Sequence, residues 1–156
     1  MTKRAPKKKT ISGLLESQHE LFEAGEPGCN DTDIAELESA IGQELPADIV
    51  EILQLSDGCV LHVGHEVLYL ATCAQIRTWH ADGVVDELEV FPFAHNGSDT
   101  LLLFDEGGAW GGENGSVYRL QIGRRVLLGY PIQDAIYLAG SIYQFLEYLI
   151  AGEDLL

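Results

Sequence analysis

The chain has 156 residues, 46% of them hydrophobic, and a formal net charge of -16. This length suits one domain with a sizeable core, and the apolar content excludes a disordered chain. No apolar run approaches the ~20 residues of a membrane-spanning helix, and no apolar segment follows the basic N-terminus as in a secretory signal, so we expect a cytoplasmic protein.

Charge is unevenly distributed along the chain. Five of the nine Lys and Arg residues lie within residues 1–9, which we interpret as a basic flexible arm. Beyond this arm, four arginines face 25 acidic residues, a net charge near -21. Such a body repels nucleic acid and anionic membranes and attracts basic protein surfaces, although solubility alone also accounts for an acidic surface.

Three helices are predicted between residues 10 and 58. Thr10 caps the first, which runs to about residue 24. The second begins near Asp31 and stops at Gly42, and the third opens at a Leu-Pro step and stops at Gly58. Apolar residues at helical spacing give the second and third helices one buried face each: Ile34, Leu37, Ile41, Ile49, Ile52 and Leu53.

The middle of the chain has the pattern of strands joined by turns. Residues 60–63 and 67–70 predict a hairpin, and Thr72 with Gln75 predicts the capping box of a short helix that carries Trp79. Further strands are predicted at residues 90–94, 100–105, 116–121 and 125–129. Short turns between successive strands favour antiparallel pairing.

A final helix is predicted after Ser141, because five apolar residues follow at i, i+3, i+4, i+7 and i+8: Ile142, Phe145, Leu146, Leu149 and Ile150. Helices, then strands, then a helix indicate an α+β fold. We expect a central, mostly antiparallel sheet with N-terminal and C-terminal helices packed against it.

Short motifs follow one another in a recognisable order along the chain. They are a helix with a central glutamate, a glycine, a Leu-Pro step, a second helix, a terminal Asp-Gly, apolar strands around an Asn-Gly turn, and a closing helix: residues 34–38, 41–42, 45–48, 52–53, 57–58, 91–94, 96–105, 115–118, 138–139, 141–142 and 145–146. Over residues 31–151 this order resembles the SUKH superfamily.

The resemblance implies an α+β fold without enzymatic activity or cofactor, and a protein as partner. Many bacterial members are immunity proteins that bind and neutralise a toxin domain encoded beside them, and others are regulators. We therefore expect a SUKH-like domain at residues 31–156, preceded by an N-terminal helix and loop at residues 10–30. Its body carries fewer basic residues than is usual in the family, which fits a basic toxin domain such as a nuclease.

Two other functions remain open at this stage. One is a regulatory or scaffolding module that binds cellular partners on the same fold. The other is a metal-dependent hydrolase that uses loop carboxylates, although no complete site can be assembled from the sequence.

Candidate partner-binding residues are acids and tryptophans in predicted loops and helix ends. Trp110, between glycines of the loop at residues 107–115, either anchors a partner or folds back over the sheet. Several acids are expected beside it at one end of the central hairpin, where they attract arginine-rich surfaces or are simply solvated. The full candidate set is Asp57, Trp79, Asp82, Asp86, Glu87, Asp99, Asp105, Glu106, Trp110 and Glu113.

The sequence predicts no metal site. Cys59, His62 and His65 suggest zinc, but a structural site needs four ligands, and the histidines are predicted on opposite sides of a hairpin turn. The glycine-rich loop precedes a strand and lacks the lysine of a phosphate-binding loop. Three cysteines at no framework spacing favour a reducing compartment over a disulfide scaffold.

Overall fold

A computed structural model of the chain describes residues 10–18, 20–83, 90–121 and 135–156. None of the described helices is long and apolar enough to cross a membrane. The elements, in chain order, are α1 (Ile11–Ser17), β1 (Phe22–Pro27), α2 (Asp31–Ile41), α3 (Ala47–Leu55), β2 (Ser56–Val63), β3 (Glu66–Leu70), α4 (Cys73–Ala81), β4 (Val90–His95), β5 (Thr100–Asp105), β6 (Ser116–Gln121), β7 (Ala135–Ala139) and α5 (Ile142–Ile150).

The seven described strands form one sheet whose spatial order is the order of the sequence, from β1 to β7. Every neighbouring pair is antiparallel. The expected α+β fold with an antiparallel sheet is therefore confirmed. The strand predicted at residues 125–129 and the basic arm at residues 1–9 lie outside the described residues.

The main core lies between the helices and one face of the sheet. Phe145 of α5 is fully buried there, and its ring meets the edge of Phe93 from β4 at a centroid distance of 6.3 Å. Side chains alternate along a strand, so β5 contributes Leu102 and Phe104 to this face. Leu101 and Leu103 point to the other face, where they join a second, smaller apolar cluster.

Local signals account for most helix starts. The Thr10 hydroxyl accepts a hydrogen bond from the Gly13 amide, and the predicted Thr72–Gln75 capping box is present. Ser141 caps α5 by accepting from the Gln144 amide. The predicted apolar faces of α2, α3 and α5 are buried, and Gly42 ends α2 in the left-handed region with φ of 75°.

Two helix ends predicted from the sequence are wrong. The first helix stops at Ser17 rather than near residue 24, and residues 22–27 form the edge strand β1. This strand forms because its backbone pairs with β2. The two strands are so close at Gly25 that a Cβ there would collide with the Gly58 carbonyl oxygen. Close pairing therefore requires glycine at this position of β1.

The third helix ends at Leu55, three residues before the predicted stop. Gly58 lies inside β2 with φ of 82°, and a Cβ there would come within 2.6 Å of the Thr72 Cγ2 atom. Glycine is needed at this position because β2 passes close to the start of α4, and Gly58 does not end a helix. Residues 138–139, matched in sequence to the closing helix, end β7 instead.

Candidate partner-binding surfaces

Asp57 connects the start of β2 to the start of α4. Its Oδ1 atom accepts a 2.8 Å hydrogen bond from the Cys73 amide, the first N–H of that helix. A carboxylate at this point satisfies a donor with no partner inside the helix and complements the positive end of the helix dipole. The half-buried Asp57 also forms part of the wall of two neighbouring surface cavities.

The first cavity, which we call the acidic groove, has a volume of about 330 Å³ and runs along β1 and β2 beside α4. Exposed Glu23 and Glu26 project from the edge strand β1 toward it. The lining that matters for binding consists of three carboxylates, two aromatic rings and one amide: Glu23, Glu26, Asp57, Tyr69, His95 and Gln75. The groove therefore combines concentrated negative charge with an aromatic floor.

The aromatic floor is the stacked pair Tyr69 and His95, with Trp79 packed edge-on against His95. Tyr69, 37% exposed, lies parallel to His95 at a centroid distance of 5.0 Å, and Trp79 meets His95 edge-on at 6.0 Å. The His95 Nδ1 atom accepts a 3.0 Å hydrogen bond from the Gly97 amide. Burial lowers the pKa of His95, which favours a neutral ring under Tyr69. Trp79 thus supports the floor from behind.

The second cavity lies on the other side of Asp57, between α2 and α4, and has a volume of about 440 Å³. We call it the dithiol cavity, since Cys29 and Cys73 line it with their Sγ atoms 2.7 Å apart. Exposed Asp33 and Glu36 of α2 add two further carboxylates, and Arg77 of α4 adds one cation. Burial raises the pKa of both thiols, so they are protonated near neutral pH.

A separate surface, the tyrosine patch, lies at β6 and β7. Trp110 is half-buried, and its ring meets Tyr118 edge-on at 5.1 Å; Tyr118 in turn meets Tyr137 at 5.7 Å. Ile136 and Tyr137 are 50% and 51% exposed. Trp110 therefore folds partly over the sheet, while the exposed apolar area of this patch comes from β7.

Asp105 holds the loop that carries Trp110. Its side chain is fully buried, and its two oxygens accept hydrogen bonds from the Ala109 amide at 3.0 Å and the Trp110 amide at 2.9 Å. The sequence included Asp105 among the partner-binding candidates as a surface charge. In the structure, its carboxylate instead holds the loop backbone through these hydrogen bonds, while Glu106 and Glu113 nearby are exposed.

The expected cluster of acids around one end of the hairpin is wrong for Asp99. This residue lies in the turn between β4 and β5, and Asp105 ends β5 at its other end, about 20 Å away along the extended chain. The same turn contains Gly97, where a Cβ would come within 2.8 Å of the Tyr69 ring. Exposed Asp99 therefore lies in a turn that contacts Tyr69 through Gly97, and not beside the loop of Trp110.

The remaining candidates are placed less centrally. Asp82 is exposed at the C-terminal end of α4. Asp86 and Glu87 lie outside the described residues. The sequence missed Glu23, Glu26 and Tyr69, which line the acidic groove. Glu23 and Glu26 are three positions apart and do not show the two-residue alternation of a strand, so no local pattern identified them.

The cysteine and histidines considered for zinc do not assemble as a set. Cys59 is buried in β2, whereas His62 and His65 are exposed, and the His62 Nε2 atom lies 3.2 Å from a Glu23 carboxylate oxygen. Within the described ranges, one group of possible ligands has its atoms within 4.8 Å of one another: Cys29, Asp57 and Cys73. Its members come from three separate segments.

Removal of the Asp105 carboxylate should loosen the loop without unfolding the domain. We expect Asp105→Ala to lower the free energy of unfolding by about 2–3 kcal/mol, because two amides lose a charged acceptor in a buried site. Chemical denaturation measures this loss, and acrylamide quenching of Trp110 in a Trp79→Phe background reports the loosened loop. The exposed neighbour Glu113→Ala should change stability by less than about 0.5 kcal/mol; equal losses in the two variants would contradict the assignment.

Comparison with known proteins agrees with this architecture. The model of the SMI1 / KNR4 family (SUKH-1) matches residues 28–148, from just before α2 into α5. A comparison with curated proteins found no match. The matched span includes Asp57, both cysteines of the dithiol cavity and the tyrosine patch, but not Glu23 or Glu26 of β1. Because the match covers most of the chain, this protein belongs to the SMI1 / KNR4 family (SUKH-1).

Proposed function

We propose that this chain is a non-catalytic immunity protein, which binds a basic toxin domain and blocks its active surface. The observation that supports this function is the acidic groove, where carboxylates from two strands surround an exposed tyrosine. Family membership supports a protein-binding role. The chemistry of the groove supports a partner rich in lysine and arginine, as expected for the active surface of a nuclease.

Charge favours this class of partner over the regulatory alternative. Across the acidic groove and the dithiol cavity, five carboxylates line a continuous region that shares Asp57: Glu23, Glu26, Asp33, Glu36 and Asp57. Arg77 is the one lysine or arginine among the residues that line these two cavities. A concave region of one sign concentrates field lines and accelerates encounter with an oppositely charged surface.

Tyr69 supplies the expected anchor. Large aromatic side chains at an interface carry much of its binding energy when they are held rigidly and become buried. Tyr69 is held by His95 beneath it and still presents part of its ring to solvent. An arginine of the partner can stack on this ring while carboxylates of the groove accept its hydrogen bonds.

A stable interface extends beyond one groove, since specific complexes bury about 800 Å² on each partner. Asp99, in the turn whose Gly97 lies against the Tyr69 ring, is a proposed contact near the groove. Asp82, Glu106, Trp110 and Glu113 remain proposed contacts at greater distance, the last two beside the exposed side chains of the tyrosine patch. Trp79 and Asp105 act by supporting the surface from inside.

Growth rescue is the direct test of the immunity function. The C-terminal domain of the protein encoded immediately upstream would be expressed in a heterologous host, with and without this chain. We expect the domain to stop growth alone and the host to grow when both are present. A harmless domain, or a toxic domain that this chain does not neutralise, would contradict immunity for that pair.

The acidic groove should control the rate of association. We expect Glu23→Gln/Glu26→Gln to slow association with the toxin domain about three- to tenfold at low salt, because two steering charges are lost. The matched control is Glu147→Gln/Glu153→Gln, which changes net charge equally at α5 and the C-terminal segment. Stopped-flow or surface-based kinetics at two salt concentrations would measure both. Equal slowing by both pairs would assign the effect to net charge and not to the groove.

Tyr69 should control the rate of release instead. We expect Tyr69→Ala to accelerate dissociation of the complex by roughly 10–100-fold, the effect of losing a central aromatic anchor. The control is Tyr148→Ala on α5, whose side chain is similarly exposed. The dissociation rate and the thermal unfolding of each variant would both be measured, so that loss of the contact can be distinguished from loss of the fold. An unchanged dissociation rate for a folded Tyr69→Ala variant would remove the groove floor from the interface.

A further inference from the structure

We propose that Cys29 and Cys73 close to an intramolecular disulfide when a small disulfide oxidant enters the dithiol cavity. The two Sγ atoms are 2.7 Å apart although the residues are 44 positions apart in sequence. Cys29 lies just before α2, and Cys73 is the first residue of α4. This inference concerns a chemical modification and does not depend on the proposed partner.

The separation of the sulfurs favours a bond between them over a shared metal ion. A disulfide has an S–S length of about 2.05 Å, so a shift of well under 1 Å closes the pair. Two thiolates on a tetrahedral zinc ion lie about 3.7 Å apart, because each Zn–S bond is about 2.3 Å long. Zinc would therefore push the sulfurs apart by about 1 Å. The neighbouring Asp57 carboxylate is already hydrogen-bonded to the Cys73 amide.

The difference in exposure between the two cysteines indicates which of them reacts with the oxidant first. Cys73 is half-buried at the cavity wall, whereas Cys29 is only 6% exposed. The Cys73 thiolate attacks one sulfur of the oxidant, which forms a mixed disulfide and releases one thiolate. The Cys29 thiolate then attacks the Cys73 sulfur and releases the second thiolate. Two protein thiols are oxidised, one oxidant disulfide is reduced to two thiols, and the two protons pass to those thiols.

The bridge would fix the wall that the two cavities share. It joins the segment before α2 to the start of α4, next to the hydrogen bond between Asp57 and the Cys73 amide. A cross-link that closes a long loop stabilises a fold mainly by restricting the unfolded chain. The oxidised form should therefore unfold at a higher temperature than the reduced form.

Oxidation of the purified full chain with oxidised glutathione tests the proposal. We expect intact-mass spectrometry to show a loss of two hydrogen masses, thiol titration to fall from three free thiols to one, and peptide mapping to join Cys29 to Cys73. We also expect the melting temperature to rise by roughly 5–15 °C and to return after treatment with a reductant. Cys59→Ala is the matched control, since buried Cys59 should be dispensable for the bridge.

Cys73→Ser and Cys29→Ser should separate the two steps. Cys73→Ser should stay unmodified, because Cys29 is buried, and Cys29→Ser should stop at a glutathione adduct on Cys73. Three free thiols in oxidised, folded protein would overturn the proposal, as would a bridge to Cys59 or a dimer linked between chains. Equimolar zinc uptake by the reduced chain that requires both Cys29 and Cys73 would assign the pair to a metal instead.

Discussion

The hydrogen bond from the Cys73 amide to the Asp57 carboxylate lies at the centre of the candidate binding surface. It brings the start of β2 against the start of α4, two points 16 residues apart in sequence. Gly58 permits the contact, since a larger residue there would press on Thr72. The acidic groove opens on one side of this contact and the dithiol cavity on the other. One carboxylate thus organises a helix start and contributes charge to both cavities.

The sheet determines which surfaces remain available to a partner. Helices pack against one face and bury residues such as Phe93 and Leu102, while Leu101 and Leu103 make β5 apolar on its other face as well. A strand buried on both faces is a rigid central support. The two candidate binding surfaces therefore lie toward the two sides of the sheet, the acidic groove at β1 and β2 and the tyrosine patch at β6 and β7.

Local signals in the sequence were sufficient for the helix starts at Thr10, Thr72 and Ser141, the buried helix faces and the antiparallel hairpins, because each depends on residues close together in the chain. They were insufficient for β1, whose strand conformation depends on pairing with β2 more than 30 residues away. The same limit applies to the site. Asp57 and Trp79 were among the candidate partner-binding residues, but Glu23 comes near Asp57 only through the pairing of β1 with β2. The role of Asp105 depends on two amide donors in the following loop, which its position in the sequence does not reveal.

The acidic groove gathers several carboxylates at one place on the surface. Carboxylates on neighbouring strands repel one another, although solvent around the exposed Glu23 and Glu26 weakens that repulsion. The neutral His95 ring beneath Tyr69 does not offset this charge, and the cation that lines the adjoining cavity, Arg77, is on the other side of Asp57. A basic surface that enters the groove would relieve the repulsion as it binds. Relief of that repulsion would then add to the attraction between the two proteins, so a charged cleft suits the basic partner that we propose better than an apolar cleft would.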